Sequence, residues 1–236
     1  MLNENIIRNG CKDSWNAFMC NGADFSKNDI PFCPTTAEIV PKDIKTWEEA
    51  KQIYKREVAK DKDFYCNAFI CFYIDDYKFD GERGIWTRYN FALKVIKHFA
   101  GVITPDFSTY QDFPFPLKIY NTYRMRAYGY WLGRNGIAVI NNVRWGTEES
   151  YQYCFDGIPK NSIVAIGTVG GSPRKLDDRA RFEDGLFKMV EVLQPHTIIV
   201  YGSANYSCFE NLRERGIRIV SFKSCTAAFY DRRRLN

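Results

Sequence analysis

The sequence predicts an α/β fold of alternating β/α units, an irregular or incomplete TIM-like barrel, with a doubly wound open parallel sheet as the alternative. Three observations predict it. Six short apolar runs, AFICFYIDD, GVITPDFS, IAVINNVRWG, SIVAIGTVGGS, HTIIVYGS and IRIVSFKS, each stop at polar, Gly- or Asp-bearing punctuation. Most are followed by a helix-like segment, and alternating buried strands and helices imply a parallel sheet. The 236 residues, 45% hydrophobic and 16% aromatic with no low-complexity tract, suffice for one substantial core. Periodicity does not say whether the sheet closes, so both architectures stand at this stage.

Residues 1–36 are dense in Asn, Asp and Lys and end in DIPFCPTT; they read as an arm packed on a single domain of residues 37–236 and leading into a first short strand. TWEEAKQIYKREVAK is an amphipathic helix: Thr46 and Glu49 have capping-box spacing, and Trp47, Ala50, Ile53, Tyr54 and Val58 form one apolar stripe. Residues 68–74 are continuously apolar and β-rich, as a strand buried on both faces requires, and end in Asp75 and Asp76. Residues 86–99 follow as a helix, and residues 101–104 as a strand closed by PDFS. Pro116 opens a long helix that runs to Arg134, and Gly136 stops it.

Residues 137–143 give the next strand, and Glu148 and Glu149 suit the first turn of a short helix after it. Residues 162–166 lead through GTVGGSPRK to a helix over 178–193, stopped by Pro195. Residues 197–200 lead through YGSANY to a helix in which Ser207 and Glu210 again have capping-box spacing, with Gly216 past its end. The last strand is 217–222, which makes seven strands and about six helices.

Composition narrows the function classes. The net charge of +5, from 33 basic and 28 acidic residues, is spread along the chain apart from Arg232, Arg233 and Arg234; it permits a polyanionic partner without demanding one. Eight cysteines without a CxxC pair, and only two histidines, give a structural zinc site little support and point to reduced thiols. The N-terminus lacks the apolar core of a signal peptide and no run is long enough to span a bilayer, so the expectation is a cytoplasmic protein with no membrane partner. Oligomeric state leaves no trace in the sequence.

In a parallel α/β sheet the loops beyond the strand C-termini build the ligand site. Asp75 and Asp76 follow one strand and Asp106 the next, which makes them the candidate catalytic residues. Side chains alternate along a strand, so only one of the adjacent aspartates faces the mouth. Asp75 with Asp106 would hold Mg²⁺, or split their pKa values to act as acid and base; capping and turn formation are the alternative. Asn121 and Arg124 share a helix face with Tyr128, and an arginine on so aromatic a helix needs an anion if buried. Asp106 is the natural partner within the same βα unit; a phosphate or carboxylate ligand is the other.

Gly167, Thr168, Gly170, Gly171 and Ser172, with Gly202 and Ser203 on the next loop, could bring backbone N–H groups to a phosphate. Their spacing fits neither a Walker loop nor a dinucleotide fingerprint, and glycine also serves ordinary tight turns. Trp145, with Phe107 and Tyr110, offers a stacking surface for a base or sugar, or packs as ordinary core. His98, His196 and Cys154 lack the neighbours that catalysis would need.

GCKDSWNAF, DIPFCPTT, FYIDDYKF, TPDFSTYQDFP with the following KIYNTYR, VRWGTEESYQYCFDGIP and a late VYG carry a family likeness over residues 9–222. In these segments the chain resembles the domain of unknown function family 4417, found in bacteria, phages and mobile elements. The resemblance implies that Asp75, Asp76, Asp106, Asn121, Arg124, Trp145 and Asp156 belong to the pattern that defines the group. It assigns none of them a role. The leading expectation is a hydrolase or transferase acting on a phosphorylated small molecule or nucleotide, with the aspartates as acid, base or Mg²⁺ ligands. Arg124 and the 167–172 loop would hold the anion. A non-catalytic phage or mobile-element protein that sequesters a ligand or inhibits a host factor is the alternative, as is a nucleic-acid-binding protein.

Overall fold

The computed structural model describes residues 15–169 and 176–234. Seven strands form one sheet: β1 (Ile44–Thr46), β2 (Cys66–Cys71), β3 (Phe99–Ile103), β4 (Val139–Asn142), β5 (Ile163–Gly167), β6 (Thr197–Tyr201) and β7 (Arg218–Phe222). Six α-helices accompany them: α1 (Trp47–Glu57), α2 (Tyr89–Ile96), α3 (Phe115–Arg134), α4 (Leu176–Leu193), α5 (Ser207–Glu214) and α6 (Cys225–Arg234). Each strand pairs in parallel with its neighbour in chain order, from β1 through β7. A doubly wound sheet reverses strand order at a switch point, and this one never does.

The sheet curls into an incomplete barrel. Tyr73, just past β2, stacks on Tyr201 at the end of β6, with ring centroids 5.2 Å apart. Among the described residues β7 and β1 share no ladder. The start of α6 spans part of that gap: Cys225 Sγ accepts a hydrogen bond from the Tyr201 hydroxyl at 3.4 Å and lies 3.3 Å from the Glu49 carboxylate on α1.

Both faces of the strands are apolar, which explains their unbroken hydrophobic runs. Phe69, Cys71, Ile103, Ile140, Ile163, Ala165 and Ile199 fill the concave interior. The alternate residues face the helices: Ile70, Phe72, Val102 and Val139 under the first half of the chain, and Val164, Ile166, Ile198 and Val200 under the second.

Helix boundaries follow local chemistry, with four differences from the sequence reading. In α1 the capping box forms, with Thr46 N–H donating to Glu49 Oε2 at 2.8 Å and Glu49 N–H donating to Thr46 Oγ1 at 3.4 Å. Pro116 sits in the first turn of α3, and Gly136 takes φ +79° beyond its end. The expected helix over 86–99 is shorter: α2 begins at Tyr89, and Phe99 already pairs as the first residue of β3. The Ser207–Glu210 box does not form, because the N-cap is Tyr206 and no side chain caps the helix. Beyond the last strand, α6 is an additional helix; Ser224 Oγ accepts from Ala227 N–H at 3.2 Å and starts it. The short helix expected after Thr147 is a 3-10 turn, Glu148–Gln152.

Residues preceding β1 are tied by backbone bonds to β4 and to the turn at Gly157. Cys33 N–H donates to Gly157 O at 2.7 Å, and Thr36 N–H to Val139 O at 3.0 Å, while Met19 and Ile30 are fully buried. Among the described residues no helix is long and apolar enough to cross a membrane.

Candidate functional site

A pocket of about 250 Å³ opens where β3, β4 and β5 end. Its floor comes from residues two apart at the end of β4. Asn142 and Arg144 lie on the same side, whereas Asn141 turns away and donates to Cys33 O at 2.8 Å. Asn142 Nδ2 donates to Asp106 Oδ1 at 2.9 Å, and Arg144 Nη1 donates to Asp106 Oδ2 at 2.6 Å. Behind them the Tyr73 hydroxyl donates to Asn142 Oδ1 at 2.9 Å. One chain of polar contacts thus runs from the barrel interior to the pocket floor.

Burial pushes the Asp106 carboxyl above its ordinary value, opposed by the Arg144 charge and the Asn142 N–H. Burial also holds the Tyr73 hydroxyl well above the phenol range, so it remains a neutral donor. A carboxyl whose folded pKa exceeds its unfolded value favours the fold most at low pH. That contribution is lost as pH rises through the folded value. Side-chain ¹³C NMR should therefore show Asp106 titrating above the roughly 3.9 of a free aspartate. A value at or below that figure would show that the Arg144 pair outweighs burial.

The walls are aromatic and the rim is charged. Trp145 leans on Phe182 of α4 at 5.5 Å between centroids, and the Arg144 guanidinium lies 5.4 Å from the Tyr110 ring centroid. At the rim Arg181 donates to Asp178 at 2.7 Å and to Gln111 Oε1 at 3.3 Å.

Of the residues singled out from sequence, Asp106, Tyr110, Trp145 and Gly167 line this pocket. Asp75 is exposed and pairs with Lys78 at 3.4 Å. Asp76 clamps the Asp106 loop instead, accepting from Ser108 N–H at 2.9 Å and from Ser108 Oγ at 2.7 Å. Both oxygens of Asp106 accept protein donors, and Asp75 does not join Asp106 in the pocket lining. Among the described residues no group of three His, Cys, Asp or Glu side chains could hold a metal.

The expected Asp106–Arg124 bridge is corrected. Arg124 binds Asp80 through two 2.9 Å contacts and donates to Asn121 Oδ1 at 2.6 Å. Alternation explains the exchange of partners. Asp106 turns to the pocket, so its neighbour Phe107 turns to α3, where its ring centroid lies 3.8 Å from the Arg124 guanidinium carbon. Asn121 donates to Ser108 O, so Asn121 and Arg124 brace the 106–108 loop from behind.

Thr168 is buried and donates to Ser203 O at 3.0 Å, which joins two candidate phosphate loops to each other; Gly202, on the second of them, takes φ +119°. Gly170, Gly171 and Ser172 lie outside the described residues. Asp156 accepts from Asn28 Nδ2 at 2.8 Å, away from the pocket lining.

Tyr73, Asn142 and Arg144 were not anticipated as site residues. For the last two the signal was present: polar side chains at i and i+2 leaving a strand share the face of that strand. Arg126 was also missed. It lies fully buried at the middle of α3 and donates to three backbone carbonyls, Asn142 O at 2.9 Å, Asp156 O at 3.1 Å and Cys154 O at 3.2 Å.

The family model described as Domain of unknown function (DUF4417) matches residues 25–223. The chain belongs to this family. Among curated proteins, this DUF4417 member is similar to the Gene 1 protein of Mycobacterium phage D29, with 32% identity over 181 residues that cover 77% of this chain and 62% of that protein. It is similar also to the Gene 1 protein of Mycobacterium phage L5, with 33% identity over 135 residues, 57% of each protein. It thus spans less than two thirds of the length of these phage relatives. No solved structure matches it.

Proposed function

We propose that this chain binds a small anionic ligand, a phosphorylated molecule or nucleotide, in the pocket at the ends of β3, β4 and β5. Arg144 and Arg181 attract the anion, Trp145 and Tyr110 contact its ring or sugar, and Asp106 is the candidate acid–base group. The supporting observation is that two carboxylates, two guanidinium groups and an aromatic wall share one pocket of about 250 Å³. That volume lies below the usual range of about 300–1,000 Å³ for drug-sized ligands, which favours something no larger than a nucleotide. Asp76, Asn121 and Arg124 act on this reading by fixing the loop that carries Asp106.

One observation favours a second reading, capture without turnover. Both Asp106 oxygens already accept protein hydrogen bonds, which suits a group that holds a ligand better than one that shuttles its proton. Calorimetric titration with nucleotides and sugar phosphates, followed by ³¹P NMR of the mixture, tests both. Binding that Arg144→Met weakens about tenfold or more supports the pocket. New phosphorus resonances make it an enzyme, and an unchanged spectrum makes it a binding protein. Ligand affinity indifferent to Arg144→Met would remove this site from either role.

A further inference from the structure

We infer that the pocket takes its ligand base-inward: the floor reads the edge of a planar heterocycle such as a nucleobase, and any phosphate stays at the rim. This deepens the ligand reading above and rests on it. The argument begins at Tyr73. Its ring is fixed by the stack on Tyr201, and its hydroxyl proton is committed to Asn142 Oδ1 at 2.9 Å. Asn142 is fully buried, and an amide whose oxygen is taken in this way presents its N–H₂ on the opposite side. That side faces Asp106 Oδ1, at 2.9 Å. With Arg144 on Oδ2, both carboxylate oxygens receive donors, so Asp106 is held as an acceptor.

A carboxylate oxygen has room for a further hydrogen bond, and a guanidinium carries five N–H groups. Arg144 commits one of them to Asp106 and keeps 20% of its side chain exposed, while Asp106 keeps 11%. The floor therefore sets an acceptor beside a donor. Nucleobase edges carry the complementary pattern, an N–H next to a ring nitrogen or carbonyl oxygen. Walls of Trp145 and Tyr110 suit the flat faces of such a ring, which stack on aromatic side chains whatever the base. A phosphate placed on this floor would meet the Asp106 charge. At the rim Arg181 is paired with Asp178 at 2.7 Å, but at 50% exposed it is more open than Arg144 at 20%, and a phosphate outside the mouth would lie against it.

The test is a calorimetric titration of the full chain with adenosine, guanosine, cytidine and uridine, their 5′-monophosphates, ribose 5-phosphate and inorganic phosphate. We expect at least one nucleoside to bind, its monophosphate to bind within about tenfold of it, and the two base-free phosphates to bind at least 100-fold more weakly. Asp106→Asn, which turns an acceptor into a partial donor, should weaken nucleoside binding tenfold or more. Tyr73→Phe frees the Asn142 amide to turn and should weaken it several-fold. Affinity should also fall on acidification through the Asp106 titration, where the acceptor is lost. Ribose 5-phosphate or phosphate binding as tightly as a nucleotide overturns the base-inward placement and leaves the anion-pocket reading intact. If none of these compounds binds, both readings fail. The ligand series on the unaltered protein decides between these outcomes even if a variant does not fold.

Discussion

Arg126→Met is expected to lower folding stability by roughly 3–5 kcal/mol, a large share of the ~5–15 kcal/mol that holds an ordinary domain together. Among the described residues the guanidinium has no carboxylate partner within ion-pair distance. Its three donors serve the carbonyls of Asn142, Cys154 and Asp156, which join the end of β4 to the turn at 154–156. A buried carbonyl left without its donor costs about 1–3 kcal/mol, and three lose theirs together. Removing the charge recovers part of this. Burial pulls the Arg126 pKa down to about 10, so the group stays charged at neutral pH and its charge opposes folding there. For a cation with a lowered folded pKa that opposition fades only above the folded value, so it persists across the physiological range. Methionine fills the volume but satisfies no carbonyl. Arg56→Met is the control, because its guanidinium is 64% exposed and pairs with adjacent Glu57; its change should stay within ~0.5 kcal/mol. Urea unfolding of both variants measures the difference. Equal midpoints would mean that the three carbonyls find other donors.

That keystone also marks how far the sequence could be read. Strand positions were legible because runs such as those carrying Ile70 and Ile199 are buried on both faces and have to be apolar throughout. Neighbour order and curl were not, since periodicity says which face is buried and nothing about which strand lies beside it. Asp106 stood out because a charge directly after a buried strand has few bland explanations. Nearness in the chain suggests Arg124 as its partner, but alternation sends Asp106 and Phe107 to opposite sides. Arg126 gave no signal at all. An arginine in mid-helix is ordinarily solvated, and the carbonyls it serves lie 16 to 30 positions away.

Gly185→Ala should lower ligand affinity in the β3–β5 pocket at least tenfold and destabilise the fold by about 1–3 kcal/mol, the usual range for overpacking. The sign is the informative part. Gly185 lies inside α4, where alanine is ordinarily worth about 1 kcal/mol in the helix's favour. Here a Cβ would lie 2.1 Å from Cδ1 and Nε1 of the Trp145 indole, far inside van der Waals contact. The indole sits across the helix at the one residue without a side chain, and that seating forms part of the pocket wall. It also explains a glycine where helix propensity argues against one. With the methyl present the ring has to leave, which shifts the Trp145 indole N–H resonance and deforms the wall a planar ligand would lie on. A variant that is more stable, with the indole resonance and ligand affinity unchanged, would show that Trp145 does not rest on α4. Loss of affinity and stability together, with a moved resonance, would tie the helix glycine and the pocket wall into a single unit. The pocket's shape would then be set by a contact 40 positions away in the chain, between two residues that local pattern never links.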